Sequence, residues 1–141
     1  MKKLIILFMI FKLSSCVNLI KHSDYNNFYL TFGSCYDNDT LHIEINDSLV
    51  VEKIILNSNF STGTVLNAGI SYINEQLIIT NNGETIYKML NVEKFLKITL
   101  SNSYRKSTYN LDLRNGKYLI ADGCSSEGFK ISQFRKPIVV E

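Results

Sequence analysis

The stretch ISYINEQLIITNNGETIYKML, residues 70–90, holds the pattern that decides the fold. Its apolar residues fall in short runs rich in β-branched and aromatic side chains, which suit a pleated surface better than a helix. Between two of those runs stands Asn81-Asn82-Gly83, and Asn and Gly tolerate the positive φ that a tight hairpin turn demands. The spacing predicts strands on either side of that turn.

The same grammar extends outward in both directions. Toward the C terminus, Leu96, Ile98 and Leu100 alternate with Lys97 and Thr99, and beyond the polar turn at 102–107, Tyr109, Leu111 and Leu113 alternate with Asn110 and Asp112. Asn115-Gly116 then predicts another hairpin, leading into Lys117–Ala121. The segments 129–134 and 137–140 are the last candidates, and Pro137 restricts the final one to an edge or to a start after it. Toward the N terminus, Phe28, Leu30 and Phe32 share one face; Leu41, Ile43 and Ile45 share another, with His42 and Glu44 pointing away. Leu49–Leu56 follows the turn at Asn46-Asp47-Ser48, and 57–69 reads as a polar, glycine-containing loop. Only 91–100 offers a helical stripe (Val92, Phe95, Leu96, Thr99), and the alternation at 96–100 argues for a strand in its second part. The expectation is an all-β chain: a single antiparallel β-sandwich or small barrel of about eight or nine strands.

The first sixteen residues follow a different logic. Lys2 and Lys3 precede the unbroken apolar run Leu4–Phe11, then come Lys12, Leu13, two serines and Cys16. A positive head, a short apolar core and small residues make the layout of an export signal. Eight helical residues rise only about 12 Å against a bilayer core of about 30 Å, so the run is too short for a permanent span. Leu13-Ser14-Ser15-Cys16 resembles the lipobox of bacterial lipoproteins. That resemblance implies cleavage before Cys16, a diacylglycerol on its thiol and acylation of the new amino terminus. The alternative is an ordinary signal cleaved near Ser14 or Ser15. The implied organisation is a signal peptide over 1–15, a lipidated cysteine and flexible tether over 16–27 and a β-domain over 28–141. A bacterial cell-envelope location follows, on the exported side of a membrane that the sequence does not specify.

Charge supports no nucleic-acid partner. The chain counts 15 basic and 13 acidic residues, but Lys2, Lys3 and Lys12 leave with the signal, so the excess of positive charge belongs to the leader. Cys35 and Cys124 remain once Cys16 is lipidated. Both follow a small residue just past a predicted strand, and an exported compartment permits the disulfide they are expected to form. Metal binding is not expected: no third or fourth ligand sits at useful spacing, and Asp37-Asn38-Asp39 lacks the glycine and glutamate of a calcium loop. The sequons at Asn38, Asn46 and Asn59 occur at the frequency chance gives this composition.

No reaction is named by the sequence. His22 lies in the tether and His42 on an outward strand face, and no nucleophile elbow, zinc helix or phosphate loop is present. The expectation is therefore a non-enzyme without cofactor, although a carboxylate site would leave no sequence signature. Tyr104, Arg105, Lys106 and Arg114, with Tyr109, Lys117 and Tyr118, form the candidate binding surface, an aromatic and cationic cluster that could grip a glycan or a protein. The best overall reading is a small lipid-anchored envelope protein whose β-domain binds an envelope protein or glycan. As an alternative, Phe32-Gly33-Ser34-Cys35 running into Leu41–Ile45 resembles small lipoprotein lysozyme inhibitors, whose β-barrels can carry a disulfide; that resemblance implies a tethered inhibitor of a cell-wall enzyme.

Overall fold

A computed structural model describes residues 27–138. The export signal, Cys16, nearly all of the tether and residues 139–141 lie outside the described residues. The described residues form ten strands: β1 (Phe28–Phe32), β2 (Asp39–Ile45), β3 (Ser48–Leu56), β4 (Ala68–Ile73), β5 (Gln76–Asn81), β6 (Glu84–Met89), β7 (Phe95–Ser101), β8 (Lys106–Asp112), β9 (Tyr118–Asp122) and β10 (Lys130–Phe134). They form a six-stranded sheet ordered β10-β9-β1-β4-β5-β6 and a four-stranded sheet ordered β3-β2-β7-β8. The sheets stay separate and close no barrel, so the sandwich is the form adopted. The count passes nine because the segment after Phe129 also pairs, as β10 on β9.

Alternation decides which residues enter the core. Phe28, Leu30 and Phe32 of β1, Leu41, Ile43 and Ile45 of β2, and Leu96, Ile98 and Leu100 of β7 are all buried, while the residues between them are exposed or half-buried, except Thr99, which is buried with its hydroxyl 2.9 Å from that of Thr108. Successive strand residues point to opposite faces, so the period-two pattern leaves one solution per strand. Three two-residue turns set the registers. Asn46-Asp47, Asn74-Glu75 and Asn82-Gly83 all take positive φ at both positions, the geometry whose twist matches that of the strands it joins. No helix forms over 91–94; that segment leads directly into β7.

Two connections differ from the sequence expectation. Asn115-Gly116 closes no hairpin: Leu113–Asn115 is a single 3₁₀ turn capped by Asp112, and it carries the chain from β8 in one sheet to β9 in the other. Leu113 is buried and acts as the pivot. Gly116 passes so close to the opposite backbone that a Cβ there would sit 2.4 Å from the Phe134 carbonyl oxygen. The glycine serves a close approach, a use that a dipeptide alone cannot distinguish from a turn. The other difference is that β9 pairs with β1 in parallel, Tyr29 beside Tyr118 through Phe32 beside Ala121. A parallel partner needs a long crossover, here the whole chain between them. Pro137 and Ile138 belong to no strand.

Candidate functional site

The parallel pair builds one end of the molecule. Every partner in the β1–β9 register is 89 residues further along, and the ladder runs on past the strands: the Gly33 amide donates to the Ala121 carbonyl at 2.8 Å and the Gly123 amide to that of Ser34 at 3.0 Å. Carrying the same offset forward sets Cys35 opposite Cys124. They are bonded, with Cα atoms 4.8 Å apart and a sequence separation of 89. The expected disulfide is thus present, and the parallel register is the reason its two cysteines meet.

Around this bridge the chain is tightly tied. The Tyr36 hydroxyl donates to the Ala121 carbonyl at 2.9 Å. Its ring stands edge-on to Phe32 at 6.1 Å and parallel to Phe129 at 6.5 Å. The Arg105 guanidinium lies over the Phe129 ring at 4.6 Å and donates to the carbonyls of Gly123, Ser125 and Gly128. Burial pushes the Tyr36 phenol far above its ordinary range; nearby Asp122 adds to the rise, with Arg105 opposing it and Asp39 contributing least. That hydroxyl is a structural donor and no proton acceptor at neutral pH. Asp122 accepts from the Ser34 amide at 2.9 Å, which fixes the turn entering the bridge.

Beside the bridge opens a hollow of about 510 Å³, walled by Ser34–Asp37 on one side and Asn57–Phe60 with Gly63 on the other. Ser58 clamps the two walls: its hydroxyl accepts from the Tyr36 amide at 2.7 Å, and its own amide donates to the Tyr36 carbonyl at 2.9 Å. The far wall is a small closed loop. Asn59 bridges to Thr64, the Gly63 amide donates to the Asn59 carbonyl and the Asn59 side chain accepts from the Ser61 amide. Phe60 stands at its tip, fully exposed. The hollow is therefore lined by the Phe60 ring together with amide, hydroxyl and carboxylate groups. A second depression of about 480 Å³ lies on the outer face of the larger sheet, where Tyr29 and Tyr118 stack at 5.2 Å.

The expected aromatic and cationic cluster is divided. Tyr104 is exposed at the β7–β8 turn and Lys106 begins β8, whereas Arg105 is turned inward against the disulfide end. Arg114 lies beyond the other end of β8, roughly 20 Å along a seven-residue strand. There it hydrogen-bonds Asp112, which holds that carboxyl well below its usual value, at about 2. His42 is exposed on β2. Asp37-Asn38-Asp39 forms a turn with Asn38 at positive φ, and among the described residues no group of three or more His, Cys, Asp or Glu could hold a metal. Phe60 and Ser58 were not singled out from sequence. The available signal was an aromatic flanked on both sides by Asn, Ser, Thr and Gly, where it has no core to fill.

No family model, curated protein or solved structure matches the chain.

Proposed function

We propose that this chain is a lipid-anchored recognition module of a bacterial cell envelope, tethered through Cys16 and binding cell-wall glycan in the hollow beside the Cys35–Cys124 bridge. The observation that carries the reading is Phe60, a large apolar side chain held fully exposed on a hydrogen-bonded loop and lining the same hollow as Asn57, Asn59 and Asp37. A sugar ring has the matching surface: an apolar face bordered by hydroxyls, which donate to carboxylates and amide oxygens and accept from amide N–H groups. Exposing a phenylalanine forgoes about 1.5–3 kcal/mol of burial, a cost that a ligand on the ring would recover. Two experiments test the two halves. Cys16→Ser should abolish metabolic labelling with fatty acid, and an unlipidated wild-type mature mass would overturn the anchor. Full-length protein should co-sediment with purified cell-wall glycan, and Phe60→Ala should weaken that binding about tenfold or more; absence of co-sedimentation, or indifference to Phe60→Ala, would overturn the glycan site.

A tethered inhibitor would use the same end of the molecule, because Ser34 and Cys35 of the Phe32–Cys35 segment line the hollow. A lysozyme-inhibition assay separates the two readings: inhibition lost on altering the 33–36 turn favours the inhibitor.

A further inference from the structure

Four strands lie at the sheet edges, and three of them are guarded. β3 carries exposed Glu52 and Lys53 and irregular register against β2. β10 begins with exposed Lys130 and is followed by Arg135, Lys136 and Pro137. β8 is covered by the returning chain, through Ser107 with Phe129, Tyr109 with Phe129 and Gln133 with Asp112. Charges, bulges, proline and covering segments are the devices that keep an edge from pairing with another chain. Among the described residues nothing covers or bends β6, and its only charges are Glu84 and Lys88. All six of its residues are exposed, including Ile86 at 50%, Tyr87 at 61% and Met89 at 75%. Its one lysine, Lys88, is drawn across to the Val50 carbonyl at 2.6 Å.

The turn before β6 fixes which of its backbone groups are available. Asn82-Gly83 is a two-residue turn between paired Asn81 and Glu84, and such a turn closes with its flanking residues hydrogen-bonded to each other. By alternation, Glu84, Ile86 and Lys88 direct their amides and carbonyls at β5, and Thr85, Tyr87 and Met89 direct theirs outward. Two copies joined antiparallel across a twofold axis must set outward residues opposite outward residues, so the axis passes through a residue position and not between two. Centred on Tyr87, the pairing sets Lys88 opposite Ile86 and Glu84 opposite Leu90. Centred on Thr85, it sets Glu84 opposite Ile86 and Lys88 opposite Asn82. Centred on Ile86, it sets Thr85 opposite Tyr87 with both backbone bonds exchanged, Ile86 opposite itself, and Glu84 opposite Lys88 twice. That last contact falls at the positions where antiparallel side chains approach most closely.

We propose that β6 pairs with β6 of a second copy in the register centred on Ile86, joining the two larger sheets into one continuous sheet. The occupant is chosen by charge complementarity: only in this register does the strand oppose each of its own charges with the opposite sign, and the Lys88 ammonium, with one donor on the Val50 carbonyl, has two left for Glu84 of the second copy. The surface is separate from the hollow beside the disulfide, so the pairing stands whatever that hollow binds.

Cysteine trapping in the full-length chain, expressed with its own N-terminal segment and treated with a mild oxidant, reads the register directly. Ile86→Cys should give a covalent dimer, because the two Cα atoms would lie roughly 4.5 Å apart and within bridging range. Tyr87→Cys should not, because in this register its own counterpart lies beyond about 7 Å. In the Ile86→Cys background, Lys88→Glu should cut the dimer roughly tenfold and Lys88→Glu with Glu84→Lys should restore it. Because the rescue restores opposite charges across the axis, it distinguishes pairing from a general effect on folding. Three outcomes would overturn the proposal: no dimer from Ile86→Cys while Cys35–Cys124 stays oxidised, equal trapping at Tyr87→Cys or at a Leu49→Cys control, or a mixed product with a different protein.

Discussion

Tyr36 shows how a single side chain can join the disulfide end to the core. Its hydroxyl shares the Ala121 carbonyl with the Gly33 amide, so Tyr36→Phe leaves that acceptor satisfied and should cost only about 1 kcal/mol at neutral pH by urea unfolding. The larger effect is in alkali. Burial raises the folded-state pKa above the ordinary tyrosine value of 10.0, so the unfolded chain gives up this proton first. Stability from the neutral phenol is complete below pH 10 and declines as pH rises past it, by up to about 1.4 kcal/mol per pH unit. Urea titrations between pH 9 and about 11.5 should show a shallower decline for Tyr36→Phe than for the wild type. An identical slope in the two proteins would mean that the phenol is not held neutral by the fold. Phe60 illustrates the opposite case. Its neighbours in sequence marked a loop, but that its ring would line a hollow depended on Ser58 meeting Tyr36, a contact spanning 22 residues that no local pattern records.

At the scale of elements, the clearest alternating segments were legible because each of those strands has one buried face. Phe28–Phe32, Leu41–Ile45 and Leu96–Leu100 enter the core as their period requires. Strand neighbours were less so. Asn82-Gly83 and Asn115-Gly116 are nearly the same signal, yet the first turns with φ of 48° and 86° and the second follows a 3₁₀ turn with Gly116 fully extended at φ 160°. Asn-Gly permits a hairpin, and the tertiary context chooses. Because the Gly116 backbone is extended, any residue could adopt it, and what excludes a side chain is the Phe134 carbonyl. Gly116→Ala should therefore destabilise the domain by about 3 kcal/mol through steric overlap, whereas Gly83→Ala meets no atom within 4 Å and is penalised only for its φ of +86°, by about 1 kcal/mol. Chemical denaturation of the two variants would reverse this order if the 113–116 connection were the looser one. The aromatic and cationic cluster is spread out for two reasons: the length of β8 separates Arg105 from Arg114, and the crossover carries Lys117 and Tyr118 into the other sheet.

For the molecule as a whole, the bridge and the parallel pair act together, since Cys35–Cys124 closes a loop of 89 residues at the end of β1 and β9. In the chain-entropy account such a loop is worth about 4–5 kcal/mol, less whatever structure the unfolded chain retains. Reduction should lower the unfolding free energy by a few kcal/mol, read as a shift in urea midpoint with the slope nearly unchanged. An unmoved midpoint would show that the bridge adds nothing to the pairing already present. The same topology has a consequence in time. β1 lies inside the larger sheet, between β4 and β9, yet it is the first described strand to emerge from a chain made or threaded from its N terminus. Its antiparallel neighbour β4 follows within tens of residues, but the strand that completes its other side arrives only with Tyr118. Until then the growing domain exposes an interior edge with β1's apolar face beside it, a long-range closure of the kind that slows folding and invites mispairing. The last strands to appear are therefore what seals the first, and the chain cannot finish its sheet before nearly all of it is available.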